Sequence, residues 1–483
     1  MLFNTLDFAI FLPIVFLLYW FVTAKHLKIQ NLLIFIASYI FYGWWDWKFL
    51  GLIAFSTVVD YFIAIYLQKT KRKKNRKLLL YTSILINIGF LGVFKYFNFF
   101  IDNFESAFSF FGYQFQGYSL NIILPVGISF YTFQTLSYTI DVYHGKLKPT
   151  KDFIAFGAFV SFFPQLVAGP IERAKHLLPQ FFEKRKFDYE LAKNGLRQIL
   201  WGLFKKMVIA DNCAEYVNIA FSSYDTQPAS VLAFGAILFA FQIYGDFSGY
   251  SDIAIGTARL FGFNLKQNFA YPYFSRDIAE FWRRWHISLS TWFRDYVYIP
   301  LGGSQVSKIL QIRNVFIVFL VSGFWHGANW TFIIWGALNA LYFLPLLLLK
   351  RNRVNTNTVA EDKILPTLKE AIGILNTFII TTLGWIFFRA ETIHQAIDYI
   401  KLLFSKSLFI LPTLNTSTST FTLLLLILFL LVIEWIGRTQ KFALSNFSNT
   451  YPVYLRWVFY SMIIFFLGMY MNTNETPFIY FQF

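Results

Sequence analysis

The sequence has little cysteine and little charge. Cys213 is the single cysteine among 483 residues, which excludes an intramolecular disulfide framework, a cysteine-rich metal site and a paired-thiol redox motif. Charged residues make up 14% of the chain, whereas an average soluble domain carries about 25%. Apolar residues make up 57%, more than a soluble chain of this length could readily bury. The composition therefore predicts an integral membrane protein.

Several catalytic motifs are also absent. The sequence has no HExxH, CxxC, Walker A or GxSxG pattern in a usable position, so metalloprotease, nucleoside triphosphatase and serine hydrolase activities find no support. It shows no internal repeat, which removes support for an inverted-repeat transporter. We predict neither a resident metal ion nor a bound cofactor.

What the sequence does contain is a series of apolar runs, most of them close to the roughly 20 helical residues that cross a bilayer. They predict an all-α polytopic membrane protein with roughly ten to twelve transmembrane helices, organised as a single domain over residues 1–483. The candidate spans are 5–24, 30–46, 49–67, 78–97, 119–143, 194–220, 229–262, 308–324, 328–349, 371–389, 418–436 and 453–472.

Much of the positive charge is concentrated in one loop. The net charge is +16, and seven of the nine residues from Lys69 to Lys77 are basic. A basic loop between two apolar runs is typical of the cytoplasmic side of a membrane protein, so we interpret it in that way and not as a nucleic-acid-binding arm. Counting the spans backwards from this loop places the N-terminus outside.

Other stretches are too polar, too short or too irregular to be simple spans. Residues 98–118 are predicted to form an amphipathic segment on the outer side and 170–193 an inner loop, while 351–366 has the composition of a linker. Glycine and proline interrupt the apolar runs at 125–134 and 163–172. Irregular backbone within a bilayer must be buried in protein or line a cavity, so these two stretches are candidate cavity walls.

The segment from Phe281 to Asp295 has helical periodicity. On one continuous helix, its tryptophans and His286 would share an apolar face, while its arginines would lie largely on the other. An interfacial helix among lipid headgroups is one interpretation, but it does not explain a histidine on the apolar face. The apolar face would comprise Trp282, Trp285, His286, Leu289, Trp292 and Phe293, and the polar face Arg283, Arg284, Ser288 and Asp295.

A second histidine, His326, lies within an apolar run. Ionisable groups at membrane depth are costly and usually functional. The neighbouring small residues Gly323, Gly327 and Ala328 would allow close helix packing or the approach of a substrate. The alternative is a structural histidine paired with a neighbouring helix.

A third polar group interrupts the run at 229–262. It contains Asp246 and Asp252 together with Ser248 and Ser251. These side chains could form a polar pocket or coordinate an ion. Hydrogen bonding to other helices is the alternative, because buried carboxylates need partners in either case.

Four ordered blocks of sequence carry a resemblance to a known family. Together they cover residues 120–340, and the chain resembles the membrane-bound O-acyltransferase family, in particular its bacterial alginate O-acetylation branch. The blocks are Pro164–Leu166 with Gly169–Glu172, Gly245–Asp252, Glu280–Trp292 and Ser322–Gly327.

The resemblance implies a fold, a site and a reaction. The fold would be a ring of tilted transmembrane helices with re-entrant and amphipathic segments, and His326 and His286 match the family's two characteristic histidines. The reaction would move an acetyl group from a cytoplasmic thioester donor, acetyl-CoA, across the cell inner membrane. A periplasmic SGNH or esterase-like acetyltransferase partner would then complete the acetylation of a polysaccharide such as alginate.

Acyl transfer to a hydroxyl needs a base near neutral pH, and imidazole has a suitable pKa. We therefore expect His326 to act as general base and His286 to orient the donor or the acceptor. The oxyanion that develops needs hydrogen-bond donors, for which the Trp325 indole or the backbone near Asn329 are candidates. Other candidates for substrate or donor binding, including two arginines that could meet coenzyme A phosphates or lipid headgroups, are Trp282, Arg283, Arg284, Trp285, Asp246 and Ser248.

Two other functions remain open at this stage. A sister branch of the same family transfers D-alanine from a carrier protein towards teichoic acid, and a basic inner face would suit that acidic carrier equally well. A polysaccharide transporter would also place histidine and aspartate side chains along a membrane pathway. Moving a labelled acetyl group distinguishes the enzymes from a transporter, which moves intact glycan.

Overall fold

The computed structural model describes residues 1–113, 119–120, 123–412, 416–471 and 478–479. Across these residues the regular structure is helical, with no β-strand, as the sequence predicts. The chain forms two compact units. One comprises Met1–Ala192 with Thr257–Leu265, and the other comprises Lys193–Gly256 with Lys266–Phe483.

The described helices confirm a polytopic membrane protein. Seven of them are long and apolar enough to cross a bilayer, and four further apolar helices are shorter. The seven are Trp47–Lys69, Lys73–Phe110, Ala229–Leu260, Lys308–His326, Trp330–Leu348, Leu368–Arg389 and Val453–Tyr470. The shorter four are Leu6–Val22, Leu27–Gly43, Phe153–Leu166 and Thr420–Ile436.

The first unit is organised around a buried carboxylate. Asp60 accepts hydrogen bonds from Ser83, Asn87 and Thr139, which lie on two neighbouring helices. A carboxylate with no exposed surface needs such partners, so the three helices are fixed against one another. The α-helices of this unit are Leu6–Leu17, Leu27–Gly43, Leu50–Lys69, Lys73–Leu91, Phe97–Phe110, Ile128–Tyr143, Phe153–Ser161, Phe163–Leu166 and Ala174–Leu177.

The second unit contains a closely packed helical hairpin. A Cβ added at Gly323 would collide with the backbone oxygen of Phe332, and one at Gly327 with the Phe332 ring. Glycine therefore allows the two helices to approach, as expected. The α-helices that lie wholly in this unit are Asp211–Ser222, Ile278–Arg284, Ile287–Phe293, Lys308–His326, Trp330–Leu348, Leu368–Arg389, Ile393–Leu402, Thr420–Ile436, Phe447–Thr450 and Val453–Tyr470, while Tyr189–Leu203 and Ala229–Leu260 contribute to both units.

Helical structure continues through the candidate span 194–220. A π-helical turn, Phe204–Ala210, links the helices on either side and carries Lys205 and Lys206. The Lys205 Nζ lies 2.6 Å from Asp252, and the Lys206 Nζ lies 2.8 Å from both Asp211 and Asp246. Buried charges need such pairing, so Asp246 and Asp252 serve as hydrogen-bonding partners of another helix.

Two predicted segments in the first unit have different boundaries in the structure. Residues 98–110 belong to an amphipathic helix, but this helix continues the one that begins at Lys73, through a π-helical turn at Gly92–Tyr96; residues 114–118 lie outside the described part. The candidate span 119–143 is shorter than predicted. Its helix begins only at Ile128, after Gly127 adopts a left-handed conformation with φ of 74°.

One apolar helix was not among the predicted spans. Phe153–Ser161 and Phe163–Leu166 form two buried helical pieces with an irregular residue, Phe162, between them. Residues 163–172 are buried without exception, which agrees with the expectation that this interrupted backbone lies inside protein.

Candidate active site

The stretch 281–295 forms two short helices, not the continuous amphipathic helix that the periodicity predicts. The first, Ile278–Arg284, begins at Asp277, whose side chain accepts from the Glu280 backbone N–H. The second is Ile287–Phe293. Between them His286 has a φ of 44°, a left-handed conformation that costs free energy for any residue with a Cβ.

Asn268 holds this helix break in place. Its backbone oxygen accepts from the Ile287 N–H at 2.9 Å, and its side-chain oxygen accepts from the Ser288 N–H at 3.2 Å and from the Ser288 hydroxyl at 2.8 Å. These bonds satisfy the first turn of the second helix. Ser288 is consequently buried, although the helical-face prediction placed it on the polar side.

The break determines the position of His286. Its side chain is 1% exposed, its Nδ1 lies 3.1 Å from the Asn268 Oδ1, and its ring packs at 90° against Phe247 with centroids 4.6 Å apart. Burial lowers the pKa of His286 below its ordinary value, because desolvation disfavours imidazolium. The ring is therefore neutral at physiological pH.

His326 is the last residue of the helix Lys308–His326 and is 4% exposed. Its ring is enclosed by three aromatic side chains with centroid separations of 5.0 Å to Trp325, 5.1 Å to Trp335 and 5.3 Å to Phe388. All three approach it nearly edge-on, an arrangement that aromatic pairs prefer. These contacts fix the plane of the imidazole.

The two histidines meet at one small cavity. Its volume is about 100 Å³, and most of its lining is aromatic or aliphatic. Four predicted site residues, His286, His326, Trp282 and Trp285, share it although they come from separate helices. The lining comprises Trp282, Trp285, His286, Leu289, Ser290, Phe293, Val318, Phe319, Ser322 and His326.

The remaining predicted residues lie outside this lining. Trp325 is near, with its ring centroid 6.2 Å from that of His286. Asn329 caps the helix Trp330–Leu348, accepting from the Thr331 N–H and donating to the Glu391 carbonyl. Asp246 binds Lys206 and accepts from the Ile479 N–H at 2.6 Å, and Ser248 is buried on the same helix as Asp246.

The two predicted donor-binding arginines contact the linker. Arg283 donates to the carbonyls of Asn352 and Asn355 at 2.8 and 2.6 Å. Arg284 donates to the Asn357 carbonyl and pairs with Glu280, at 3.0 and 2.9 Å. Their contacts show that they hold residues 352–357 against the helix Ile278–Arg284.

Sequence reasoning did not identify Asn268, Ser290, Ser322 or Phe319 as site residues. Asn268 precedes the histidine by 18 residues in a stretch without helical periodicity, and no sequence signal marks it. Ser290 and Ser322 lie within the family-like blocks of sequence, and their place in these blocks could have marked them as site residues. Among the described residues, no cluster of three or more histidine, cysteine or acidic side chains could hold a metal ion.

The fold and this cavity together define a polytopic membrane protein with two histidines in a small, largely apolar site. A model of the membrane-bound O-acyltransferase family matches residues 146–388. The chain belongs to this family, and it is therefore an O-acyltransferase.

Several known proteins are similar to this chain over half of its length or more. A probable alginate O-acetylase of Pseudomonas aeruginosa is 40% identical over 84% of this chain and 75% of its own length. A peptidoglycan O-acetyltransferase of Helicobacter pylori is 36% identical over 83% of this chain and 79% of its own. A teichoic acid D-alanyltransferase of Streptococcus thermophilus is 31% identical over 54% of this chain and 68% of its own.

Proposed function

We propose that this protein is an O-acetyltransferase of the cell inner membrane that takes acetyl groups from acetyl-CoA on the cytoplasmic side. The observation that supports this most directly is the cavity of about 100 Å³ that His286 and His326 share. A largely apolar site disfavours water, which would otherwise hydrolyse the thioester. The acetyl groups are destined for a polysaccharide outside the membrane.

In the proposed reaction, a hydroxyl oxygen attacks the carbonyl carbon of the thioester. His326 accepts the hydroxyl proton as the new carbon–oxygen bond forms, the carbon–sulfur bond then breaks, and His326 returns the proton to the departing sulfur. The products are an acetyl ester and a free thiol. Direct transfer is favoured over a thiol relay, because Cys213 is fully buried in the core and is absent from the cavity lining.

The dimensions of the cavity favour a small acyl group. A cavity of roughly 150 Å³ lined by apolar side chains accommodates benzene, and a water molecule occupies about 30 Å³. About 100 Å³ therefore suits a two-carbon acyl group.

The chemistry of the lining also distinguishes acetyl from D-alanyl transfer. A D-alanyl ester carries an ammonium group, and a buried ammonium needs a carboxylate or several acceptors. The ten lining residues include no acidic side chain. The similar O-acetyltransferases also cover more of this chain than the D-alanyltransferase does.

The donor could approach near the arginine cluster and the linker. A polar cavity of about 620 Å³ lies between Arg276 and the linker, with Lys363 and Lys369 among its lining residues and three acidic side chains as well. The lysines could meet the phosphates of coenzyme A. On the other side, a periplasmic acetyltransferase partner would pass the acetyl group to the polysaccharide, since a polymer cannot enter the small cavity.

Acetyl transfer by purified variants tests this proposal. Replacement of a general base typically lowers the rate by about 10²–10⁴-fold, and we expect a loss in this range for His326→Gln with radiolabelled acetyl-CoA and a small hydroxyl compound as acceptor. His394→Gln is the matched control, because His394 is largely exposed and pairs with Asp398 on its own helix. Near-normal acetyl transfer by a folded His326→Gln protein would contradict the proposed role of His326.

A further inference from the structure

Asn268 contacts His286 through an atom whose identity is fixed by its other partner. The Ser288 backbone N–H points at the same Asn268 atom from 3.2 Å. A backbone N–H can only donate, so this atom is the amide oxygen and not the amide nitrogen. The Asn268 side chain is completely buried, so its orientation is set by these contacts.

An oxygen at this position defines the tautomer of the histidine. The His286 Nδ1 lies 3.1 Å from the Asn268 Oδ1, and an oxygen acceptor requires a hydrogen on Nδ1. In a neutral imidazole, only one ring nitrogen carries a hydrogen, so Nε2 retains its lone pair. His286 contributes to the cavity lining, whereas Asn268 lies outside it.

From this geometry we propose that Asn268 is a positioning residue that holds His286 with Nδ1 protonated, so that its Nε2 serves as a hydrogen-bond acceptor for a donor group of the bound substrates other than the hydroxyl whose proton His326 removes. The involvement of His286 in acyl transfer rests on the proposed function, but the tautomer itself does not. The Asn268 side chain therefore has a role at the site in addition to capping the helix Ile287–Phe293.

The surroundings of the ring support a fixed neutral form. Its other neighbours include Phe247, Phe269 and Trp325, and the Ser288 Oγ, which donates to the Asn268 Oδ1, lies 3.5 Å from its Nδ1. None of these can exchange a proton with the imidazole at physiological pH. His326 is the other titratable side chain in the cavity lining.

The tautomer is measured directly by ¹⁵N NMR of histidine-labelled protein. The chain has six histidines, and comparison with His286→Gln identifies the His286 signals. We expect hydrogen on Nδ1 in the wild type and in Asn268→Asp, and its redistribution to Nε2 in Asn268→Leu. This readout needs no turnover, so it separates a failure of this inference from a failure of the proposed function.

Kinetics provide the second readout. Asn268→Leu should lower kcat by about 10-fold to 100-fold, as loss of the outer partner of a metal-bound histidine does, with little change in the KM for acetyl-CoA. Asn268→Asp keeps an acceptor for both the histidine and the helix N–H, so its kcat should lie between that of Asn268→Leu and that of the wild type. Its carboxylate raises the pKa of His286, and the acidic limb of the kcat profile should therefore move to higher pH.

Asn314→Leu is the matched control, because Asn314 is equally buried but donates to the carbonyls of Leu301 and Gly303. It should leave the His286 tautomer and the pH profile unchanged. Hydrogen on Nε2 in the wild type would overturn the inference. So would Asn268→Asp and Asn268→Leu proteins that are folded and share the wild-type tautomer and pH profile, since Asn268 would then be only a helix cap.

Discussion

Aromatic side chains orient both histidines. The rings of Trp335 and Phe388 lie nearly perpendicular to that of His326, and Phe247 lies perpendicular to that of His286. Such pairs contribute about 0.5–1.5 kcal/mol beyond the burial of area, and they fix a ring without using its nitrogen atoms. The aromatic content of the chain thus serves the site as well as the membrane surface.

Phe319 gives a test of acyl-group selection, because it lines the cavity and packs against Trp282 and Phe343. Phe319→Ala should enlarge the cavity and raise the ratio of kcat/KM for propionyl-CoA to that for acetyl-CoA by about 10-fold, the low end of what one methylene contributes to discrimination. Phe316→Ala, one helical turn earlier and outside the lining, is the control. An unchanged ratio in Phe319→Ala would show that this cavity does not select the acyl group.

At the scale of elements, the linker is hydrogen-bonded to the start of the segment that carries His286. Arg276 donates to the Asn357 carbonyl at 2.8 Å, and the Asn355 amide donates to Asp277 at 2.7 Å. A capping box formed by Thr367 and Glu370 then begins the next membrane helix. The linker is consequently an ordered wall of the polar cavity, and its position depends on the arginines of the short helix Ile278–Arg284.

Replacement of Arg283 and Arg284 should make the linker, residues 351–366, more mobile. The double Arg283→Ala, Arg284→Ala variant should be cleaved faster within residues 351–366 by a protease and should bind acetyl-CoA several-fold more weakly. Turnover at saturating donor should persist, since neither arginine lines the histidine cavity. The effect on binding should be smaller at high salt if phosphate contacts contribute. Arg294→Ala is the control, because Arg294 is exposed and pairs with its neighbour Asp295.

Protease sensitivity and donor titration at two salt concentrations measure the two effects separately. Faster cleavage with unchanged donor affinity would mean that the arginines position the linker without a role in donor binding. Wild-type behaviour in both measurements would contradict the importance of the contacts at Asn352, Asn355 and Asn357.

On the scale of the whole molecule, the continuous helix Lys73–Phe110 runs from the basic loop to the opposite side of the membrane. Its 38 residues extend about 57 Å at 1.5 Å per residue, well beyond the roughly 30 Å of a hydrocarbon core. Lys74 and Asp102 are both exposed and lie towards opposite ends of this helix. They are therefore suitable reporters of topology.

We expect a cysteine at Lys74 to be cytoplasmic and one at Asp102 to be periplasmic. In a Cys213→Ala background, a membrane-impermeant thiol reagent added to intact cells should label Asp102→Cys and not Lys74→Cys. Permeabilised cells, in which both should react, are the control. The reverse pattern would invert the proposed orientation and would place the N-terminus inside.

The sequence by itself determined the membrane environment, the helical class and most of the spans. A helix that crosses lipid needs a contiguous run of apolar residues of a certain length, and such a run is visible in local composition. The sequence also identified both histidines, through family-like blocks of contiguous residues. It did not determine the helix break at His286. Periodicity reports only on hydrogen bonds and packing within one helix. This break depends instead on hydrogen bonds to Asn268, which lies elsewhere in the chain.

Only the tertiary structure decided how the candidate residues are grouped. It placed His286 and His326 on one cavity, and it assigned Asp246 to an ion pair and Asn329 to a helix cap. It also showed that Arg283 and Arg284, which were predicted to meet phosphates, hold the linker. The physical reason is that a buried polar group must find partners, and which partners it finds depends on helices that are distant in sequence and adjacent only after folding.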